Sequence, residues 1–324
     1  MANANTSKLV TLIGGSGFLG RQIVRALAKQ GYRVRVACRR PDLAGHLQPL
    51  GNLGQIQMVQ ANVRYPESLE AACRDSDTVI NLVGLLANSG QQTFQACHVA
   101  GAEACAKAAQ AAGARRFIQI SAIGADLEAE ANYARTKAEG ERAVQAAFPG
   151  AVILRPSIIF GPEDGFFNRF AGMARISPIL PLIGGGETKF QPVFAGDVAL
   201  AVAAIVDGKG EPGQIYELGG PEVLSFKQLL KFVLETTHRS RLLVPVPFAL
   251  AKLKAMFLQL LPYAPLTVDQ VKLLEHDNVV SEAATADNRT LEGLGITPEG
   301  IEAIVPTYLG RFRPRGQFDQ LNAV

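Results

Sequence analysis

A glycine-rich turn near the N-terminus restricts the fold more than any other feature of this sequence. Residues 10–20 read VTLIGGSGFLG, an apolar run that breaks into glycines and restarts as RQIVRALAKQG. An apolar strand, a tight turn and a helix in that order are typical of the first unit of a doubly wound parallel sheet. The turn therefore predicts an α/β protein whose first helix directly follows its first strand.

The spacing of the glycines in this turn is GxxGxxG, which indicates a dinucleotide-binding site. Glycine lets the backbone approach a pyrophosphate, and the helix N-terminus directs free N–H groups and a positive dipole end at it. In the alternative interpretation, the glycines only permit a tight turn with small residues for packing. The turn residues expected to contact the coenzyme are Gly14, Ser16, Gly17, Phe18, Leu19 and Gly20.

Short β-rich runs alternate with helical patterns through the first half of the chain. This alternation predicts a Rossmann-type, doubly wound parallel sheet, whose buried strands should read as apolar runs, as VTLI and TVINLV do. The expected strands are Leu9–Ile13, Val34–Cys38, Ile56–Val59, Thr78–Val83, Phe117–Ile120 and Val152–Leu154.

The pattern changes after about residue 160, where loops rich in Gly and Pro alternate with helices. A short strand, IYEL, precedes a helix at 225–236 capped by Ser225, and residues 291–312 contain a C-terminal helix with its lead-in. We expect a coenzyme-binding Rossmann domain at 1–161 and a smaller C-terminal α/β region at 162–324. That region should lie on the substrate or partner side, with some segments returning to the main sheet.

Composition and charge exclude several classes of protein. The 324 residues are 48% hydrophobic with a formal charge of +3. The sequence has no Lys/Arg run with interleaved aromatics, so nucleic-acid binding is not predicted. The four histidines show no HxxxH spacing, so no metal site is predicted. Scattered cysteines without CxxC spacing predict reduced, buried thiols at Cys38, Cys73, Cys97 and Cys105.

No apolar run is long enough to span a bilayer, which takes about 18 residues or more. Residues 242–262 come nearest, but two prolines and the lysines Lys252 and Lys254 exclude a spanning helix while permitting an amphipathic one. The N-terminal MANANTSKLV has neither an Arg-rich amphipathic segment nor an apolar signal core, which predicts residence in a cytoplasm.

The identity of the dinucleotide is decided about 20 residues beyond the glycine turn, where an acid would bind a ribose 2′-hydroxyl. The sequence there is VACRRPD, with no carboxylate at Cys38. Arg39 and Arg40 offer two guanidinium forks for a 2′-phosphate, and Asp42 is expected to be displaced beyond Pro41. NADP(H) is therefore favoured and NAD(H) stays open, as does the alternative that both arginines are merely solvated.

Residues at the carboxyl ends of the other strands are further coenzyme contacts, because ligands bind at that edge of an open parallel sheet. Asn62 follows the third strand, where it can approach the adenine ring. Gly84 ends NLVG, where the chain can pass close to the coenzyme. The remaining contacts expected at strand ends are Val63, Leu82, Val83, Ser121 and Pro156.

Tyr133 and Lys137 lie four residues apart in NYARTKAEGERAV, so both side chains share one face of the predicted helix. An ammonium close to a phenol favours phenolate and should lower the pKa of the phenol toward neutrality, which suits proton exchange with a hydroxyl or carbonyl. Lys137 can also hydrogen-bond a nicotinamide ribose. The alternative is a helical tyrosine followed by a solvated lysine.

These elements in this order resemble the short-chain dehydrogenase/reductase superfamily, in its extended or atypical branch, with GxxGxxG, YxxxK and LRPSIIFGP. More narrowly, several segments resemble the NAD(P)H-binding accessory subunit of respiratory complex I and its bacterial homologues. The segments are GGSGFLGRQIVRALAKQGYRVRVACRRP, NLVGLL, YARTKAEGE, RPSIIFGPEDGFFNRFA and LPLIGGGETKFQPVFAGDVA.

The narrower resemblance implies a protein that binds NADPH tightly as a structural ligand, without turnover in electron transfer. It also implies subunits of NADH:quinone oxidoreductase as partners, at the cytoplasmic face of the inner membrane, or the matrix side if mitochondrial. The 247–261 stretch and the basic GRFRPRG would then meet protein or anionic headgroups at the membrane surface.

Active relatives carry a Ser or Thr at the end of the fifth strand that hydrogen-bonds the substrate oxygen. Here FIQISAIGAD places Ala122 in that position, with Ser121 one residue early, and a one-residue shift turns the hydroxyl to the other face. If Ser121 occupies the position instead, the catalytic set Ser121, Tyr133 and Lys137 is complete. The sequence leaves both registers open.

Three functions therefore stay open. The first is a non-catalytic NADP(H)-binding accessory subunit or assembly factor of complex I, and the second is a soluble reductase, epimerase or dehydratase acting on a nucleotide-sugar or quinone-precursor substrate. The third is a redox-sensing regulator. Asp197 is expected to cap a helix, and Arg155 either binds an anionic substrate group or pairs with a carboxylate.

Overall fold

The structure, a computed structural model, describes residues 5–259 and 266–316. Its strands are β1 Leu9–Ile13, β2 Arg33–Cys38, β3 Ile56–Gln60, β4 Thr78–Asn81, β5 Arg116–Ile120, β6 Val152–Pro156, β7 Ile159–Phe160, β8 Ile179–Ile183, β9 Lys189–Phe190, β10 Val193–Phe194, β11 Ile215–Leu218, β12 Leu224–Ser225 and β13 Leu242–Val246. Its α-helices are α1 Phe18–Lys29, α2 Pro66–Cys73, α3 Gly101–Ala111, α4 Asn132–Ala147, α5 Phe167–Ile176, α6 Ala195–Val206, α7 Phe226–Thr236, α8 Phe248–Leu258, α9 Val268–Leu273, α10 Glu282–Ala286 and α11 Ile301–Leu309.

The main sheet has seven strands, in the order β3-β2-β1-β4-β5-β6-β11. Each neighbouring pair is parallel. The predicted Rossmann-type doubly wound sheet is therefore confirmed, and the strand order reverses between β1 and β4, where such folds bind their ligands. The IYEL strand is β11 and pairs with β6, so a late segment returns to the main sheet.

The fourth strand is shorter than the sequence predicts. It ends at Asn81 rather than Val83, because the Asn81 side-chain oxygen accepts the backbone N–H of Val83 at 3.1 Å. A side chain that captures a backbone donor two residues ahead turns the chain out of the ladder. Leu82, Val83 and Gly84 consequently lie in the loop beyond the strand, at the carboxyl edge of the sheet.

Helix α7 begins at the cap that the sequence predicts, although most α-helices of the described chain begin without a side-chain cap. Ser225 caps α7 in a capping box with Gln228, as its sequence predicts, and α11 is the expected C-terminal helix. The expectation that Asp197 caps a helix is wrong, because α6 begins at Ala195 and Asp197 lies buried in its first turn. All four cysteines are buried free thiols, which confirms that prediction.

The chain divides into two compact units, each built from separate segments. Unit 1 holds residues through 156 together with 196–218 and 282–296, and unit 2 holds 157–195, 219–281 and the residues from 297 onward. The core of unit 2 contains interlocking aromatic rings, among them Phe160, Phe167 and Phe226, on α5, α7 and neighbouring strands. The boundary after residue 161 stays a prediction of domain organisation.

Across the described residues, none of the helices combines the length and the apolar character that crossing a bilayer requires. Most of the predicted 247–261 stretch forms α8. The last two residues of that stretch, 260 and 261, lie outside the described residues.

Candidate coenzyme-binding site

The three glycines of the GxxGxxG turn have different structural roles. Gly14 has a φ of +79°, and a Cβ there would lie 2.9 Å from the Val83 side chain. A Cβ on Gly20 would lie 2.3 Å from the backbone oxygen of Gly15, so only glycine lets α1 pack on the turn. A Cβ on Gly17 would meet nothing closer than 4.0 Å, and this exposed residue immediately precedes α1.

The open face at Gly17 is therefore the place where an anion can reach the helix N-terminus. Ser16, Phe18 and Leu19 flank it and are half-buried. No acidic residue lies in the first turn of α1 to compete for its free N–H groups. A negatively charged group bound there gains from both the unpaired donors and the helix dipole.

Beside this face, a cavity of about 520 Å³ is lined by Ser16, Arg39, Arg40, Leu43 and His46. The Asp42 carboxylate is not among the residues that line the cavity, and Arg40 donates to it from Nε at 3.0 Å and from Nη2 at 2.7 Å. Within the described chain, no carboxylate pairs with Arg39. Arg39 is thus the guanidinium that can bind an added anion, whereas Arg40 already binds the Asp42 carboxylate.

The sequence reasoning did not identify His46 or Leu43 as part of this cavity. Both lie in the 3₁₀ turns that follow β2, and the chain folds back there because Pro41 begins the first of these turns. The His46 Nδ1 contacts the backbone oxygen of Leu43 at 3.2 Å. The proline directly after the arginine pair was the one sequence signal that a compact turn would follow.

Two expected contacts after β3 organise their own loop. Asn62 is half-buried, and its side-chain oxygen accepts the Arg64 N–H at 3.1 Å while its own N–H donates to Ser68. Val63 is buried, and its side chain would be 2.9 Å from a Cβ on Gly101. The adenine contact of Asn62 stays a prediction.

The loop after β4 brings Gly84 to the head of α4. A Cβ on Gly84 would lie 3.4 Å from the Nζ atom of Lys137, so any side chain there would fill the space in front of this ammonium. Glycine keeps that space open, and the close approach of this loop to the coenzyme stays a prediction. Pro156, at the end of β6, is buried and its carbonyl accepts the Ile123 N–H at 3.0 Å.

Helix α4 holds Tyr133 and Lys137 on one face, but their electrostatics differ from expectation. The Lys137 Nζ donates to the Ile120 carbonyl at 3.2 Å and lies 5.9 Å from the centroid of the Tyr133 ring. Burial raises the pKa of Tyr133 to about 12, and burial lowers the pKa of Lys137 to about 8. The predicted lowering of the Tyr133 pKa is therefore wrong, because loss of solvent raises this pKa.

Ser121 directly follows the strand whose last carbonyl receives Lys137. Its side chain is 4% exposed, and within the described chain the Oγ atom has no hydrogen-bond partner. Ala122 is half-buried. A buried hydroxyl without a partner is costly unless another group satisfies it, so this atom fits a site built for a polar ligand.

His98 is a functional candidate that the sequence reasoning missed. It lies in a π-helical turn at Gln95–Ala100, and its Nε2 accepts the Leu85 N–H at 2.9 Å. Its Nδ1 is 3.1 Å from the Thr136 hydroxyl, which itself donates to Asn132, so Nδ1–H is the donor. The ring packs edge-on against Tyr133. His98 thereby ties the loop after β4 to the first turn of α4.

The pKa of His98 is lowered to about 3, chiefly by burial and then by Lys137. The unfolded histidine, with its ordinary pKa of 6.5, takes up a proton as the pH falls, whereas the folded one does not until about pH 3. Stability is therefore lost as the pH falls from 6.5 toward 3. Relative to neutral pH, wild type should lose about 3 kcal/mol more than His98→Gln at about pH 4.

Urea unfolding of both proteins at the two pH values measures this difference. Gln can still donate and accept hydrogen bonds but does not titrate, so its stability at neutral pH separates lost contacts from lost titration. An equal acid loss in wild type and His98→Gln would contradict the assignment of a buried neutral imidazole.

Arg155 pairs with carboxylates, which decides between its two interpretations. Its guanidinium holds Glu141 in a two-point contact, Nε to Oε1 at 2.9 Å and Nη2 to Oε2 at 2.6 Å. Glu217 lies 3.7 Å away on the adjacent strand. This ion pair joins α4 to β6 and β11, and so fixes the helix that carries Tyr133 and Lys137.

The chain matches known proteins over most of its length. The model of the NAD dependent epimerase/dehydratase family matches residues 10–219. A curated relative from Arabidopsis thaliana, NADH dehydrogenase (ubiquinone) 1 alpha subcomplex subunit 9, mitochondrial, is 34% identical over 95% of this chain and 79% of its own length. The ceramide reductase of Caulobacter vibrioides is 37% identical over 54% of this chain and 54% of its own length.

Among solved structures, the dTDP-glucose 4,6-dehydratase DesIV from Streptomyces venezuelae has a TM-score of 0.70. It is 20% identical, the match covers 97% of this chain and 100% of the DesIV chain, and that protein was solved with NAD and TYD bound. At 20% identity this likeness shows the fold alone.

The residues at the sheet edge fit a nicotinamide dinucleotide. The open backbone at Gly17, the space in front of Lys137 and the unsatisfied hydroxyl of Ser121 are the features such a coenzyme requires of the chain. The resemblance drawn from the sequence motifs is confirmed by the family model and by the curated relative. The chain belongs to the NAD dependent epimerase/dehydratase family.

Proposed function

We propose that this chain is an NADP(H)-binding, non-catalytic accessory subunit or assembly factor of NADH:quinone oxidoreductase, with the coenzyme as a structural ligand. The observation that carries the proposal is similarity over 95% of the chain to a subunit of NADH dehydrogenase (ubiquinone). The raised pKa of Tyr133 adds support, because a phenol with a pKa of about 12 is a poor base at neutral pH.

In this proposal the chain's own residues bind and orient the coenzyme. The N-terminus of α1 and the face at Gly17 hold the pyrophosphate, and Lys137 binds the nicotinamide ribose. The Ser121 hydroxyl finds its missing partner on the bound ligand. A nicotinamide coenzyme supplies hydride transfer when it acts in catalysis, but here its binding stabilises the folded state by mass action.

The proposed location is peripheral, at the cytoplasmic face of the inner membrane, or at the matrix side in a mitochondrion. It rests on the respiratory relative, which is a mitochondrial protein. The proposed partners are subunits of NADH:quinone oxidoreductase.

In this proposal the chain binds NADP(H) more tightly than NAD(H), and Arg39 is the main ligand of the 2′-phosphate. Arg39→Ala should weaken NADPH binding by roughly 10-fold to 100-fold, the loss of a charge-assisted hydrogen bond, and leave NADH binding nearly unchanged. Arg40→Ala should cost less, because Asp42 already holds that guanidinium. Titration calorimetry with both coenzymes measures the effect, and equal weakening of NADPH and NADH by Arg39→Ala would contradict it.

Tyr133→Phe tests whether the phenol works in catalysis. A structural subunit should keep normal complex I assembly, respiration and bound coenzyme, because the substitution removes only the hydroxyl from a half-buried ring. The measurement is NADH:quinone oxidoreductase activity in membranes of a strain carrying the variant. A respiratory defect with normal amounts of folded protein would count against the structural role.

The second candidate is an NADP-dependent reductase, epimerase or dehydratase acting on a nucleotide-sugar or quinone-precursor substrate. The unsatisfied Ser121 hydroxyl favours it, because this atom, Tyr133 and Lys137 form the residue types of a complete catalytic set. Under this alternative, Tyr133→Phe would abolish turnover of a carbonyl substrate. The two candidates therefore predict opposite outcomes of one substitution.

A further inference from the structure

Exposed apolar side chains are concentrated on one part of unit 2. Of the fifteen large apolar residues exposed in the described chain, eight fall within residues 176–179 and 242–257. We call them the α8 face. Its members are Ile176, Ile179, Leu242, Val244, Leu250, Leu253, Met256 and Phe257.

Helix α8 presents its large apolar residues outward. It buries only the small side chains of Ala251 and Ala255, while Leu253 is 52% and Phe257 is 67% exposed. A helix that packed in the ordinary way would bury its leucines and expose its polar residues. The outward side of α8 is therefore built to contact something other than this chain's core.

The strands before α8 extend the same character. β13 pairs in parallel with β8, and the register places Leu242 opposite Ile179. Both side chains are exposed, at 70% and 47%. The small cluster that joins these strands to α8 contains Ile183 and Val246. The exposed apolar residues of the strands and the helix thus belong to one packed region of unit 2.

The two segments that carry the α8 face contain charges of one sign only. Residues 165–186 and 236–259 contain six arginines and lysines and no Asp or Glu. Lys252 is neutralised by Glu275 at 2.8 Å, whereas within the described residues no carboxylate pairs with Arg175 or Lys254. Arg175 precedes Ile176 and Lys254 follows Leu253, so an exposed cation adjoins an exposed apolar residue at both places.

We propose that the α8 face docks on an anionic phospholipid bilayer, with its apolar side chains in the acyl boundary and Arg175 and Lys254 at the headgroups. Exposed Leu and Phe beside Lys or Arg, with no Asp or Glu on the same segments, suit the acyl boundary and the anionic headgroups of such a membrane. The inference deepens the proposed function, on which it rests for the location of the membrane. It names the surface and the partner.

Vesicle binding by the purified full chain tests the proposal. Wild type should sediment with vesicles of phosphatidylglycerol and phosphatidylcholine in equal parts, and not with phosphatidylcholine alone. Arg175→Gln with Lys254→Gln should weaken binding roughly 25-fold, at about fivefold for each charge. Leu253→Ser with Phe257→Ser should weaken it roughly 100-fold. Leu53→Ser, an exposed apolar residue of unit 1, is the matched control and should change nothing.

Insertion can be read directly because the chain contains no tryptophan. Phe257→Trp should give a fluorescence that brominated phospholipids quench, and Leu53→Trp should give one that they do not. Absent binding to anionic vesicles, or an unquenched Phe257→Trp signal in bound protein, would overturn the proposal. Concentration-dependent dimers that Phe257→Ser abolishes, without vesicle binding, would assign the face to a second copy and also overturn it.

The vesicle assay contains no respiratory complex, so its outcome is separate from that of the proposed function. Vesicle binding without recovery of complex I subunits from membranes would uphold the surface and refute the proposed partner. Recovery of those subunits that depends on the α8 face, without vesicle binding, would show a protein partner there and overturn the lipid assignment.

Discussion

Gly17→Ala should leave the coenzyme-free protein folded and raise the Kd for NADPH about 100-fold. The φ of −84° at this residue suits alanine, and an added Cβ meets nothing in the chain, so stability should change by no more than about 0.5 kcal/mol. The methyl group would instead occupy the face where the pyrophosphate approaches. Losing two charge-assisted hydrogen bonds there costs about 3 kcal/mol, a factor of about 100.

Gly20→Ala is the matched variant and should do the reverse. Its Cβ would lie 2.3 Å from the backbone oxygen of Gly15, so α1 must move, at a cost of about 3 kcal/mol or more. Urea unfolding without coenzyme and calorimetry with NADPH together separate the two effects. A Gly17→Ala protein that binds NADPH like wild type would contradict the placement of the pyrophosphate.

Arg155→Met should destabilise unit 1 by about 3–5 kcal/mol, because it leaves the buried Glu141 carboxylate without its guanidinium partner. The Glu141 side chain is 5% exposed and both of its oxygens are held by Arg155. Denaturant unfolding measures the loss. Because the helix that carries Tyr133 and Lys137 is fixed by this pair, coenzyme binding should weaken as well.

The double variant Arg155→Met with Glu141→Leu is the control. Replacing both charges by apolar groups of similar size removes the Glu141 carboxylate, whereas Glu217 still loses its contact with Arg155, so part of the lost stability should return. A double variant that is less stable than Arg155→Met alone would show that the ion pair itself, rather than the unpaired carboxylate, determines the effect.

The sequence predicts the sheet well because its signals are local. Buried strands of a parallel sheet are short apolar runs, and a glycine turn before a helix identifies the first βα unit. The end of β4 was predicted two residues late, since the capture of the Val83 N–H by the Asn81 side chain is invisible in an apolar run. Asp197 was misassigned for a related reason, because α6 begins two residues before the acidic signal.

The candidate site is less predictable because its properties depend on residues distant in sequence. The YxxxK spacing correctly places two side chains on one face, but the pKa of Tyr133 is set by how deeply the folded chain buries it. His98 acquires its role from Leu85 and Thr136, which no local pattern links. The glycine motif is a further example, because its spacing does not show that Gly20 is needed for packing whereas Gly17 leaves the face of the turn open.

The measurement that tests the central claim most directly is a mild-detergent purification of the tagged protein from its native membranes, with mass spectrometry of partners and bound nucleotide. The account predicts NADH:quinone oxidoreductase subunits together with about one NADP(H) per chain. Recovery of a lone protein whose nucleotide exchanges freely would contradict it and would favour the enzyme of the second candidate.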